Sequence, residues 1–231
     1  MDGKKIIVLA VILVLSLGVY VTGATAQTTM IDDCADDPAT SGLYVLTTNL
    51  VASGPCLTVG ANNVTIDLNG FTITGDDDLN DIGISDGGTP RENIVIRNGT
   101  IRDCVQGINI ENTDGCKVEG INAISGGAGI IVGNNCVVSH NSVINNWSGG
   151  ILTGTDSTVS YNIANYNNAG ILLNGTNVRS NIIYNTANGN FNWGINVACP
   201  SNLIGNIAQN NGTNLLEQIG KCEKYNNLFG K

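Results

Sequence analysis

The sequence predicts an all-β fold: a single-stranded parallel β-helix of roughly seven to eight coils, closed by a C-terminal cap. Three observations carry that expectation. A Gly-Ile step recurs at Gly83, Gly107, Gly129, Gly150, Gly170 and Gly194, at intervals of 24, 22, 21, 20 and 24 residues. A second piece follows each of the last four steps: Val138-Ser-His-Asn141, Val159-Ser-Tyr-Asn162, Val178-Arg-Ser-Asn181 and Leu203-Ile-Gly-Asn206. Finally, a repeat of this length does not fit a helix pair of the common kind and carries few helix formers, whereas its apolar residues alternate as in strands.

Each element follows from the repeat. Segments such as Gly107-Ile-Asn-Ile110 and Gly129-Ile-Ile-Val132 read as short strands whose alternation stacks Ile84, Ile108, Ile130, Ile151, Ile171 and Ile195 into one inward column. Such a column buries apolar surface that no single turn could bury alone. Asn141, Asn162, Asn181 and Asn206 are expected to form a structural amide ladder at the turns, with Asn145, Asn185 and Asn210 recurring four residues later. Cys116 and Cys136 align with Ser157, Thr176 and Ser201 as a column of small stacked core residues. Asp67, Arg97 and Glu119 align as an axial charge ladder. At the C-terminal end, Asn214-Leu-Leu-Glu-Gln-Ile-Gly220 reads as a short capping helix with Leu215, Leu216 and Ile219 on its apolar face.

Composition bounds the rest. Lys4 and Lys5, an apolar run from Ile6 to Val21 and Ala24-Thr-Ala26 have the order of a secretory signal, expected to be cleaved near Gln27, with an uncleaved anchor as the alternative. The expected organisation is therefore 1–26 signal peptide, 27–62 N-terminal cap and first coil, 63–198 β-helix repeats, and 199–231 last coil and cap. After signal removal no membrane association is expected. A net charge of -9 argues against nucleic acid, whose phosphates would be repelled. All 7 cysteines follow the signal, in a chain expected to meet an oxidising compartment. Cys34 with Cys56, and Cys199 with Cys222, would fasten the two ends; Cys104, Cys116 and Cys136 are left over.

Ser41-Gly-Leu-Tyr-Val-Leu-Thr47, the run from Cys56 to Gly75 with Asn63-Val-Thr-Ile-Asp-Leu-Asn-Gly70, and its echo Asn93-Ile-Val-Ile-Arg-Asn-Gly99 carry a family likeness. The mature chain resembles the secreted right-handed parallel β-helix proteins of the pectin-lyase-like superfamily, in particular relatives of the carbohydrate-binding and sugar-hydrolase repeat and of the NosD-type repeat. The resemblance implies right-handed coiling, a secreted or cell-surface location and a saccharide-related role. It does not choose a reaction, because the fold hosts catalysts and non-catalysts alike.

In enzymes of that superfamily, chemistry sits on the outer side of the Gly-Ile strands. Here that side offers few acids: a hydrolase needs paired carboxylates, for which Asp86, Glu111 and Asp114 are the best available trio, and the Arg or Lys base that the resemblance implies for a lyase has no counterpart on the outward positions. Instead the face carries an apolar column, Ile131, Leu152 and Leu172, either a contact surface or covered by the stretch from Asn188 to Trp193. Calcium is the cofactor left open, through Asp76, Asp77, Asp78 and Asp81, although the EF-hand pattern is absent and a solvated loop of like charges is the more common explanation. Copper is excluded by the scarcity of His and Met ligands. Sequons at Asn63, Asn98, Asn146, Asn174 and Asn211 would accept glycans where the machinery exists. The functional expectation is a non-catalytic extracellular module whose partner is a polysaccharide, bound through Trp147 and Trp193, or another surface protein. The alternative is a small polysaccharide lyase or glycoside hydrolase with loop-borne acids.

Overall fold

The computed structural model describes residues 28–76, 80–173, 175 and 179–230. The expected signal lies outside these residues, as do Asp77, Asp78, Asn174 and Thr176. The described chain is all β, and every strand pairing is parallel. Its turns have three faces. The Gly-Ile strands form one sheet of eight, from Pro55–Thr58 through Gln106–Ile110 and Gly149–Thr153 to Thr213–Gln218. The other two faces share a sheet, because Val95–Arg102 and Lys117–Ile124 run unbroken around the corner between them.

Each face contributes one inward column. On the Gly-Ile face the register stacks Leu57, Ile84, Ile108, Ile130, Ile151, Ile171, Ile195 and Leu215. All but Leu215 are fully buried. The first face stacks Ile66, Ile96, Val118, Val138, Val159, Ile182 and Leu203. The narrow second face stacks Ile73, Ile101, Ala123, Val143 and Ala164. The glycine of the Gly-Ile step has a steric cause: a Cβ on Gly107, Gly150 or Gly170 would lie 2.5 Å from the carbonyl oxygen of the equivalent glycine one turn on.

Corners are built by one residue in the left-handed region followed by one buried polar residue. At the first corner the ladder runs Asn141, Asn162, Asn185, Asn206, Asn227, each Oδ1 accepting the backbone N–H of the previous member at 2.8–2.9 Å. Asn185 therefore replaces Asn181. Asn181 lies in the strand Asn181–Ile183, opposite Thr158 and Asn202. That coil is 23 residues long between ladder members where the preceding one is 21, and the extra length follows the Gly170 step, so counting forward from that step misplaces the corner. A second ladder at the next corner was not legible as such: Asn146, Asn167, Asn190 and Asn211. Asn145 and Asn210 precede it in the left-handed conformation. The amides of the sequons at Asn146 and Asn211 are thus engaged within this ladder.

The third corner carries the small column, with Cys136 N–H donating to Ser157 Oγ, Ser157 to Ser180 and Ser180 to Ser201 at 3.0–3.2 Å. Ser180 holds the place expected of Thr176. Cys34–Cys56 and Cys199–Cys222 are disulfides as expected, and Cys116–Cys136, expected to be merely stacked, is a third. Adjacent cysteines in one inward column are brought close enough to bond. The expected helix at Asn214–Gly220 is instead the last Gly-Ile-face strand, Thr213–Gln218. Leu215 stacks on Ile195, and Asn214 ends the second ladder by accepting from Asn211 rather than capping a helix. The charge ladder is partial: Arg97 Nε reaches Asp67 Oδ2 at 2.8 Å, while Glu119 pairs with Lys117 on its own strand.

Candidate functional site

The outer side of the Gly-Ile face disperses the expected acids. Asp86 is buried, and its carboxylate accepts from Gly88 N–H, Asn112 N–H and Nδ2, and Thr113 Oγ1, which commits it to a turn. Asp114 sits in the Thr113–Asp114 strand beside Arg91–Glu92 and accepts from Asn135 Nδ2 at 2.6 Å. Glu111 alone faces the outer side, lining a depression of about 150 Å³ with Ile131, Gly133, Asn134, Leu152 and Gly154. Asp86 and Asp114 do not line it. The stretch 188–193 forms the second corner, and Ile131, Leu152 and Leu172 stay half-exposed.

Of the expected calcium ligands, Asp81 is buried, with Oδ1 accepting from Gly54 N–H at 2.7 Å and Oδ2 from Asp76 N–H at 2.9 Å. It organises loop backbone. Nearby, Cys104 is a buried free thiol whose pKa is pushed up to about 12, first by loss of solvent and then by the Asp81 charge. Cys199, Glu217 and Cys222 cluster like metal ligands, but their sulfurs are joined to each other. Glu217 is desolvated, yet hydrogen bonds from Lys224 and the Cys222 N–H outweigh this and hold its pKa below the usual carboxylate value.

A different feature stands out at the corners. The left-handed position of the first corner holds His140, Tyr161 and Tyr184 at φ 53–58°, and that of the second holds Tyr166 at 57°. Elsewhere in these columns stand small or short polar residues, for example Ser125, Asn145, Gly189, Gly205 and Asn210. A bulky residue there is an outlier, costing on the order of 1–3 kcal/mol. The chain makes room for the rings: a Cβ on Gly189 would lie 2.7 Å from the Tyr166 ring, and one on Gly205 would collide with Tyr184. Along the first corner His140 stacks on Tyr161 and Tyr161 on Tyr184, with centroids 5.2 and 5.4 Å apart.

At the second corner the residues after the buried ladder amides point outward. Trp147 and Phe191 occupy that position and, with Tyr166, border a depression of about 450 Å³ that also meets Asn145 and Asn168. The three rings are 67%, 81% and 66% exposed. Trp193 stands apart from them, half-buried in the Gly-Ile face between Ala169 and Thr213. Of these three exposed rings, sequence reasoning singled out Trp147 alone. For Tyr166 the available signal was an aromatic residue in a column otherwise holding Asp103, Ser125, Asn145, Gly189 and Asn210.

No protein-family model matches the chain, and no curated protein does either. Among solved structures it is similar to a mutant of the periplasmic alginate epimerase AlgG, with TM-score 0.50 and 16% identity, over 82% of this chain and 60% of that one. It is also similar to a double mutant of the same enzyme, with TM-score 0.45 and 14% identity, over 79% and 64%. This chain spans less than two thirds of the length of those chains. The likeness is one of fold: this is a parallel β-helix.

Proposed function

We propose that this protein is an extracytoplasmic β-helix that binds polysaccharide without cleaving it. The observation that carries the reading is the outward display of Trp147, Tyr166 and Phe191, one of them held in a costly backbone conformation. Strain kept at an exposed, uncovered position serves no packing purpose. Aromatic rings bordered by short amides match the alternating C–H faces and hydroxyl edges of a sugar ring. Three disulfides accord with an oxidising compartment. The similarly folded AlgG is named as a periplasmic alginate epimerase, which makes alginate one polymer to include in any panel.

The absence of cleavage rests on the placement of the acids. Hydrolysis needs two carboxylates about 5–9.5 Å apart on either side of the bond, and Glu111 faces its depression without Asp86 or Asp114. The test is incubation with neutral and acidic polysaccharides, following co-sedimentation, new reducing ends and unsaturated product. Binding without turnover is expected. Turnover that disappears in Glu111→Gln would replace this reading with the lyase or hydrolase one.

A further inference from the structure

We infer that the ligand of the aromatic corner is an uncharged glycan, gripped by stacking and amide hydrogen bonds rather than by ion pairing. This rests on the binding reading above and adds the chemical class. Between Cys136 and Leu216, the stretch that contains every ring of both corners, the only Asp, Glu, Lys or Arg residues are Asp156 and Arg179. Those two face each other at the third corner, 3.7 Å apart, on the other side of the coil from Trp147. A polymer with a carboxylate on each sugar would meet no cation at the rings, and the protein's net charge of -9 would oppose its approach. An uncharged sugar meets no such penalty.

The geometry also gives the surface a direction. The first-corner rings, Tyr161 and Tyr184, and the second-corner rings, Tyr166 and Phe191, flank the narrow second face, whose outer residues here include Ser142, Ile163 and Asn165. Successive turns repeat the aromatic corners along the axis, at the spacing of the stacked rings, 5.2 and 5.4 Å. An extended chain lying parallel to the axis can therefore touch several turns at once, and longer oligosaccharides gain contacts that a monosaccharide cannot make.

The experiment is titration of the intact protein with β-glucan, mannan and xylan fragments of increasing length, and with alginate and polygalacturonate fragments, at low and high NaCl. Tryptophan fluorescence is read, with Trp193→Phe isolating Trp147. Expected are binding of at least one neutral series, affinity rising with length, less than two-fold change with salt, and at least ten-fold weakening in Trp147→Ala. Tyr166→Asn separates function from fold, since it installs the residue type that Asn145 and Asn210 place in that column. It should weaken binding while leaving the melting temperature unchanged or higher. Salt-sensitive binding of uronate fragments alone, unaffected by either variant, would overturn the inference and leave saccharide binding standing. No binding to any polymer would overturn both, as would self-association that is lost in Trp147→Ala.

Discussion

Asn162 and Asn185 are joined twice across one turn: the Asn162 backbone N–H and side-chain Nδ2 both donate to Asn185 Oδ1, at 2.9 and 3.0 Å. Asn185 Nδ2 in turn donates to the Val159 carbonyl at 2.8 Å. One fully buried amide thus satisfies three groups of the preceding turn. Asn185→Ala is expected to lower stability by about 2–4 kcal/mol, because it orphans buried donors and an acceptor together. Asn181→Ala, on the strand surface, should cost no more than about 0.5 kcal/mol. Urea midpoints of the two variants check the register directly; equal losses would refute it.

The Gly-Ile step predicts steric intolerance. Gly150→Ala places a methyl group 2.5 Å from the Gly170 carbonyl oxygen and 2.9 Å from Asn167 Nδ2. Neither backbone nor a laddered amide can retreat cheaply, so a loss of about 2 kcal/mol or more is expected, or insoluble expression. Gly88→Ala has open space and serves as the comparison, although its positive φ still costs about 1 kcal/mol.

Thr153 occupies the inward column between Val132 and Leu173, and its Oγ1 has no hydrogen-bond partner among the described residues. Replacing a buried unsatisfied hydroxyl by a methyl removes a desolvation penalty at nearly constant volume. Thr153→Val should therefore raise stability by about 1 kcal/mol. A lower melting temperature would mean that the hydroxyl has a partner in solution.

Cys104 titrates at about 12 when folded, against an ordinary thiol value of 9.0. The unfolded chain releases this proton first, so the folded state binds more protons above pH 9 and stability falls as pH rises from about 9 to 12. Below pH 9 the contribution is complete. Subtracting the alkaline stability profile of Cys104→Ala from that of the wild type should isolate a downward slope in this window. At pH 8 the native thiol should also resist alkylation until the chain is unfolded.

Peptide mapping without reduction should recover Cys116 linked to Cys136, together with Cys34–Cys56 and Cys199–Cys222, leaving Cys104 as the thiol. Each closes a loop of 20–23 residues, worth about 3 kcal/mol by chain entropy. Recovery of Cys116 and Cys136 as free thiols would restore the simple stacking expected from their alignment.

Much of the architecture was legible because a stacked coil repeats its own chemistry. Ile84 through Ile195 could be placed inward from spacing alone, since period-2 alternation admits one register that buries the isoleucines. Cys34–Cys56 and Cys199–Cys222 were legible from their positions at the two ends. Asn185 was not, because the extra residues of its coil move that one corner, Asn206 again standing 21 residues on, and an Asn-rich chain offers a wrong partner nearby. The strand Thr213–Gln218 was misread as a helix for a related reason: three apolar residues in seven satisfy either period, and only the presence of Ile195 to stack on selects the strand.

By itself, the sequence determined the parallel coil, its isoleucine core, the scarcity of acids on the Gly-Ile face and the near absence of charge between Cys136 and Leu216. These are properties of periodicity and composition, which survive without coordinates. Only the tertiary structure decided which side chains meet. It buried Asp86 under four hydrogen bonds, separated Trp193 from Trp147, and gathered Trp147, Tyr166 and Phe191 at one corner. The reason is geometric. Residues some 20 positions apart become neighbours through the stacking of turns, and whether a ring points into the core or out of a corner depends on the backbone dihedral of a single residue.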